Sequence, residues 1–179
     1  MAQQIKVIPG SVPWAAVYYN LGEFIVTSQP AYNEPLATEN PYTAIAKAGI
    51  NSVLSVRDPS EVLLPVNPFD STEAQQCVVS GLSHTNISFP HVPMPPAQYQ
   101  PLFNVQAYNA ATVIHSSTGT YPWRAPILIH CSSGDRASAA FAVYLIAYYG
   151  FTNTQAVDFA TKHLALAVFT PFVQGYSKP

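Results

Sequence analysis

The sequence predicts an α/β fold with a mainly parallel central sheet flanked by helices. Three observations predict it. Short apolar or β-branched runs alternate with segments of helical spacing, as strand–helix–strand crossovers require. Apolar residues make up 49% of 179 residues, enough for one buried core, so the chain reads as a single domain over 1–179 with its core at about 22–167. The unusual residues fall at the carboxyl ends of the strand-like runs: Thr27-Ser28-Gln29, Arg57-Asp58, Phe89-Pro90-His91 and Cys131. Ligands of open α/β sheets bind outside those ends.

The elements follow in order. "EFIV", Glu23 to Val26, reads as a strand that ends at "TSQP". Asn40 caps a helix with Pro41 at its first position, and "PYTAIAKA" stops at Gly49. "INSVLSV", Ile50 to Val56, is a β-branched strand that ends in the turn "RDPSE". "LLPVNPFD" is proline-rich loop. Asp70 and Glu73 have capping-box spacing and open the helix "STEAQQCVVS", which stops at Gly81. Cys77 inside it reads as a small buried hydrophobe. "HTNISF" is the next strand, and four prolines in "PHVPMPP" forbid further pairing. The helix "PLFNVQAYNAATVIH" carries apolar residues at Leu102, Val105, Ala110 and Val113. "PILIH", Pro126 to His130, is a strand, followed by a loop at Cys131 and an apolar helix to Tyr149. A last helix is expected over about Thr154 to Ala167, and the tail "FTPFVQGYSKP" reads as irregular. No internal repeat and no linker is visible.

Composition narrows the function classes. Charged residues are 9% of the chain, against roughly 25% in ordinary soluble domains. Such a weakly charged surface favours self-association, so a homo-oligomer is a possible state. The net charge is −2 with no basic stripe, which argues against nucleic acid as a partner. The longest apolar helical run, Ala137 to Tyr149, is too short for a bilayer, which needs about 20 residues, and no membrane partner is expected. The N-terminus has no apolar signal-like region, so a cytoplasmic protein is expected. Two cysteines make no disulfide framework, and the five histidines show no ligand spacing. Neither a metal nor another cofactor is predicted.

The chemistry concentrates in "HCSSGDR", His130 to Arg136. Cys131 leaves a strand, and the chain must turn sharply into a helix. Gly134 permits the backbone angle that such a turn needs. The amides of Ser132, Ser133, Gly134 and Asp135 can then point inward as an anion-binding nest, reinforced by the helix N-terminus. Arg136 can reach back and hold two oxygens of a tetrahedral anion. The same field favours the thiolate of Cys131, a competent nucleophile. Ser138 is a candidate hydrogen-bond donor to the sulfur. His130 should point away from Cys131 along the strand and orient the loop. The bland alternative is a buried cysteine at a strand–helix turn, with Arg136 capping a neighbour.

This loop resembles that of the protein tyrosine phosphatase-like superfamily, whose signature is His-Cys-x5-Arg, with one residue fewer. The shorter Cys-x4-Arg spacing is that of its beta-lactamase hydrolase-like phosphatase-like group. "FIVTSQPAYNE" is similar to that group's opening strand and Ser/Gly-Gln-Pro turn. "AIAKAGINSVLSVRDPSE" is similar to its Gly-Ile/Phe-x-x-Val-x-x-x-Arg-x-x-x-Glu segment, and "QAVDFATKHLAL" to its closing helix. The resemblance implies a cysteine-phosphatase-like fold. It also implies hydrolysis of a phosphomonoester, or another small anionic or phosphorylated substrate, through a phosphocysteine intermediate. Cys131 would be the nucleophile and Arg136 would stabilise the transition state. The general acid is an Asp on a separate loop in such phosphatases, and "FPHVPMPPAQYQP" has none. Asp58 is the first candidate for that role and His91 the second, although Asp-Pro-Ser is also ordinary turn chemistry. Arg57 would add charge to the pocket, or pair with Asp58 or Glu61.

Two other readings stay open. Rhodaneses also use a cysteine in a nest-like loop, commonly of six residues, and Cys131 to Arg136 is six. That reading makes Cys131 the carrier of a persulfide. Alternatively the scaffold is recruited for small-molecule binding or other chemistry, with "PWAAVYYN" and "TYPW" lining an apolar pocket.

Overall fold

The computed structural model describes residues 8–9, 12, 14–15, 17–30, 40–58, 61, 73–90, 95–117 and 126–179. Strands and helices follow in the order β1 (Ile8–Pro9), β2 (Tyr18–Asn20), β3 (Phe24–Thr27), α1 (Pro41–Lys47), β4 (Ser52–Ser55), α2 (Glu73–Val79), β5 (Ser83–Asn86), α3 (Pro96–Ser117), β6 (Ile127–His130), α4 (Asp135–Tyr149), α5 (Asn153–His163) and α6 (Thr170–Gln174). The strands form one sheet in the order β1-β2-β3-β6-β4-β5. Pairings β3–β6, β6–β4 and β4–β5 are parallel, and β1–β2 and β2–β3 are antiparallel. The central sheet is therefore mainly parallel and flanked by helices, as the alternation of patterns predicts.

The two-residue period of β6 sorts the core onto the two faces. Ile127, Ile129 and Cys131 belong to the larger cluster, with Phe103 of α3, Phe141 of α4 and Phe172 of α6. Leu128 belongs to the smaller cluster with Tyr42 and Ile45 of α1 and Cys77 of α2. Cys77 is fully buried, and burial together with the Glu73 charge pushes its thiol up to about 12, in keeping with a hydrophobe's role.

Several elements differ from expectation for identifiable reasons. β1 and β2 were too short to show any alternation. α1 has its Asn40 cap, whose side chain accepts from the Tyr42 amide at 2.9 Å. Asp70 of the expected capping box lies outside the described residues. α3 begins at Pro96, before the expected start, and carries Pro101 inside it. Tyr99, 1% exposed and ringed by Phe103 and Phe172, draws that extra length into the core, which offsets the hydrogen bond Pro101 cannot donate. α5 stops at His163, short of Ala167, because Leu164 turns extended. The expected irregular tail contains α6, whose Phe172 and Val173 are buried. No helix among the described residues is long and apolar enough to cross a membrane.

Candidate active site

The carboxyl ends of β3, β4 and β6 converge, and β6 lies between the other two, with Thr27 and Ser55 flanking His130 in register. Cys131 follows directly and is fully buried. Gly134 takes φ 97°, which turns the chain into α4 and brings its amide to donate to Cys131 Sγ at 3.1 Å. A Cβ on Gly134 would stand 3.3 Å from both Ala165 Cβ and Val17 Cγ1. The loop is thus pressed between the segment before β2 and the segment after α5. Gln29 secures its far side by donating its amide to the Ser132 carbonyl at 3.2 Å.

Arg136 opens α4 and is 5% exposed. Its Nη1 donates to Glu61 Oε1 and, at 3.1 Å, to the Phe89 carbonyl. Its Nη2 donates to Glu61 Oε2 at 2.7 Å and to Ser132 Oγ at 3.1 Å. The Ser132 hydroxyl donates in turn to Glu61 Oε2. Burial works against the charge on Arg136, but its hydrogen bonds to Glu61 and the neighbouring Cys131 side chain raise its pKa. Burial likewise raises the Glu61 carboxyl. The Arg136 and Ser132 hydrogen bonds, the Arg136 charge and the Asp58 amide overcome that and hold it at about 2. Glu61 is therefore an ionised carboxylate, unsuited to act as an acid. Both terminal nitrogens of Arg136, expected to clamp two oxygens of an external anion, hold an internal carboxylate here.

The other candidates fall into place around this pair. Arg57 donates from Nη1 to Gln29 Oε1 at 2.7 Å, and its Nε lies 3.9 Å from Glu61 Oε2. The Asp58 amide donates to Glu61 Oε1 at 3.0 Å, which ties the two acidic residues to each other. Burial raises the pKa of Tyr99, the Arg136 charge pulls it down and the Asp58 charge pushes it up. Asp58 and Arg136 therefore both act on one buried hydroxyl. Ser138 does not reach the sulfur. Its hydroxyl donates to the Gly134 carbonyl at 2.7 Å and accepts from the Ala165 amide at 3.0 Å, because one turn of helix points it back along α4. The Asp135 carboxylate accepts from the Ala167 and Val168 amides at 2.8 and 2.9 Å, so this side chain binds the neighbouring segment. Ser133 is exposed. His91 lies outside the described residues.

His130 points to the opposite face, as its place before Cys131 requires. Its Nε2 bonds Glu73 Oε1, and His84 Nε2 stands 3.7 Å from the same oxygen. Burial raises the Glu73 carboxyl, but the two imidazoles hold it well below the usual carboxylate range. The sequence reading missed this buried carboxylate and missed Glu61 and Gln29 as partners of the loop. The signal for the latter two was present: both stand in the two stretches that resemble the phosphatase-like group.

Several solved structures share this fold. TpbA of P. aeruginosa matches over 98% of this chain and 91% of its own, with a TM-score of 0.55 at 10% identity. A candidate phosphatase from Shewanella putrefaciens CN-32 matches over 86% and 84%, with 0.56 at 15%. Tk-PTP in its active form matches over 85% and 86%, with 0.53 at 16%. The chain has the fold of the protein tyrosine phosphatase-like phosphatases. No family model and no curated protein matches at the level of sequence. At such identities the phosphatase-like likeness is one of fold. It confirms the expected cysteine-phosphatase-like architecture.

Proposed function

We propose that this chain is a cysteine-dependent phosphatase-like hydrolase of phosphomonoesters. The observation that carries the reading is the Gly134 amide donating to Cys131 Sγ at 3.1 Å, at the N-terminus of the fifteen-residue helix α4. An amide and a helix N-terminus directed at one sulfur form a cradle in which an anion beside that sulfur can be held. The phosphatase-like fold supports the assignment, and Cys131 lies at the carboxyl end of a strand, where ligands of open α/β sheets bind.

In the proposed reaction the Cys131 thiolate attacks phosphorus and an S–P bond forms. The bond from phosphorus to the leaving oxygen breaks, and that oxygen takes a proton from Asp58. Loop amides and Arg136 stabilise the charge of the transition state. Water then attacks phosphorus and gives a proton to Asp58. The S–P bond breaks and returns the thiolate and inorganic phosphate.

The test is hydrolysis of an aryl phosphate by wild type and Cys131→Ser. Loss of turnover by roughly a thousandfold or more in the variant is expected. Equal rates in the two proteins would overturn the reading.

One observation favours a second reading, sulfur transfer through a Cys131 persulfide. Arg136 is held by a carboxylate, and a persulfide asks little of an arginine clamp. Cysteine-dependent thiocyanate formation from thiosulfate and cyanide, without phosphate release, would select it.

A further inference from the structure

An arginine side chain has five N–H donors, one on Nε and two on each terminal nitrogen. In this chain the four terminal donors of Arg136 all have internal acceptors: Glu61 Oε1 and the Phe89 carbonyl from Nη1, and Glu61 Oε2 and Ser132 Oγ from Nη2. The paired fork contact that a carboxylate makes with a guanidinium is the one a phosphoryl group makes. Glu61 adds the hydroxyl of Ser132, the first loop residue after the nucleophile. Cys131, Arg136 and Glu61 are 0%, 5% and 3% exposed, whereas Ser132, which bonds both Arg136 and Glu61, is exposed.

We propose that Glu61 is an internal competitor for the oxyanion site: its carboxylate occupies the Arg136 fork in the resting protein, and substrate binding displaces it. The proposal rests on the reading of the Cys131 loop as an oxyanion site. The displaced carboxylate has a second cation beside it, because Arg57 Nε stands 3.9 Å from Glu61 Oε2. A small side-chain rotation exchanges one guanidinium for the other, so the buried charge is not left alone. The exchange gives the site a threshold. An anion must bind Arg136 and the loop amides better than Glu61 binds Arg136 and Ser132, and a weak or wrongly shaped anion leaves the fork closed.

The experiment uses the full chain and inorganic phosphate as the probe, with binding read by titration calorimetry for wild type, Glu61→Gln and Glu61→Ala. The glutamine variant keeps the size and one acceptor of the native residue, in case the alanine variant does not fold. Phosphate affinity should rise about tenfold or more in Glu61→Gln, the effect of weakening one charge-assisted pair. A second readout compares alkylation of Cys131 by anionic iodoacetate and neutral iodoacetamide. The iodoacetate to iodoacetamide rate ratio should rise in Glu61→Gln, whereas general loosening of the loop would raise both rates alike. Unchanged or weaker phosphate affinity in both variants would make Glu61 a support for Arg136 and overturn the proposal. If neither wild type nor a variant binds phosphate, the oxyanion reading itself falls and the proposal with it. Aryl phosphate hydrolysis by wild type, measured separately, tells the two failures apart.

Discussion

Gly134 sets the geometry of the whole loop. Its φ of 97° is open to glycine and costly for other residues, and a Cβ there would press on Ala165 and Val17 at 3.3 Å. Gly134→Ala should therefore destabilise the fold by about 1–3 kcal/mol, read from urea unfolding, and should move the amide away from Cys131 Sγ. A neutral effect on both stability and Cys131 reactivity would show that the turn is not held as described. Asp135 works from the same loop in the other direction. Asp135→Ala should cost about 1–3 kcal/mol by leaving the Ala167 and Val168 amides without their acceptor. Asp135→Asn, which keeps one oxygen, should lose less. The placement of Cys131, Gly134 and Arg136 on one loop was legible in the sequence because it is local: a stretch of six residues holds all three. Ser138 was misread for the same reason. Local spacing suggested a reach to the sulfur, but its hydroxyl serves the Gly134 carbonyl and a segment 27 residues away.

At the scale of elements, buried carboxylates tie the loops and helices to the sheet. Glu61 ties the turn after β4 to α4, and Glu73 ties the start of α2 to β6 through His130. Both have their carboxyls lowered below the ordinary value of 4.5, Glu61 to about 2. A lowered folded value contributes stability that is present above the unfolded value and lost as pH falls through the folded one. Unfolding free energy should decline as pH drops from about 4.5 toward 2, and Glu61→Gln should flatten that decline. A wild-type stability curve that is level over this range would refute the buried ionic tie. Helix ends were legible where a cap is written beside the helix, as at Asn40. The end of α5 was not, because no local residue stops it at His163. The amides of Ala165 and Ala167 leave the helix to serve Ser138 and Asp135, and bonds from outside the element are invisible to its own periodicity.

At the scale of the molecule, the alternating patterns were enough to predict the class of fold, because each strand needs two apolar faces or one, and each helix a stripe. They could not predict the small aromatic junction that closes the larger core. Phe172 of α6 packs on Tyr99, Phe103 and Phe169, with centroids 5.1 to 5.6 Å apart. Five residues are too few to reveal a helical period, so the tail looked irregular. Phe172→Ala should cost about 3–5 kcal/mol in thermal or urea unfolding. It should also disturb the site at a distance, since Phe89, whose carbonyl holds Arg136, packs on Phe103 and Phe169 in the same junction. Native stability in Phe172→Ala would show that the tail is an appendage rather than a closing element.

The strand order has a consequence for how the chain comes to be folded. β6 sits between β3 and β4, yet it is the last to be synthesised of the six strands among the described residues. Until residues 127–130 have emerged from the ribosome, the inner edges of β3 and β4 have no native partner and stand open to wrong ones. Closing the sheet means joining segments far apart in sequence, a slow step for any chain. The residue that completes the sheet, His130, is immediately followed by Cys131. Nascent or truncated chains therefore lack the assembled loop around Cys131, and the contact between its sulfur and the Gly134 amide forms only when the last strand locks the sheet shut.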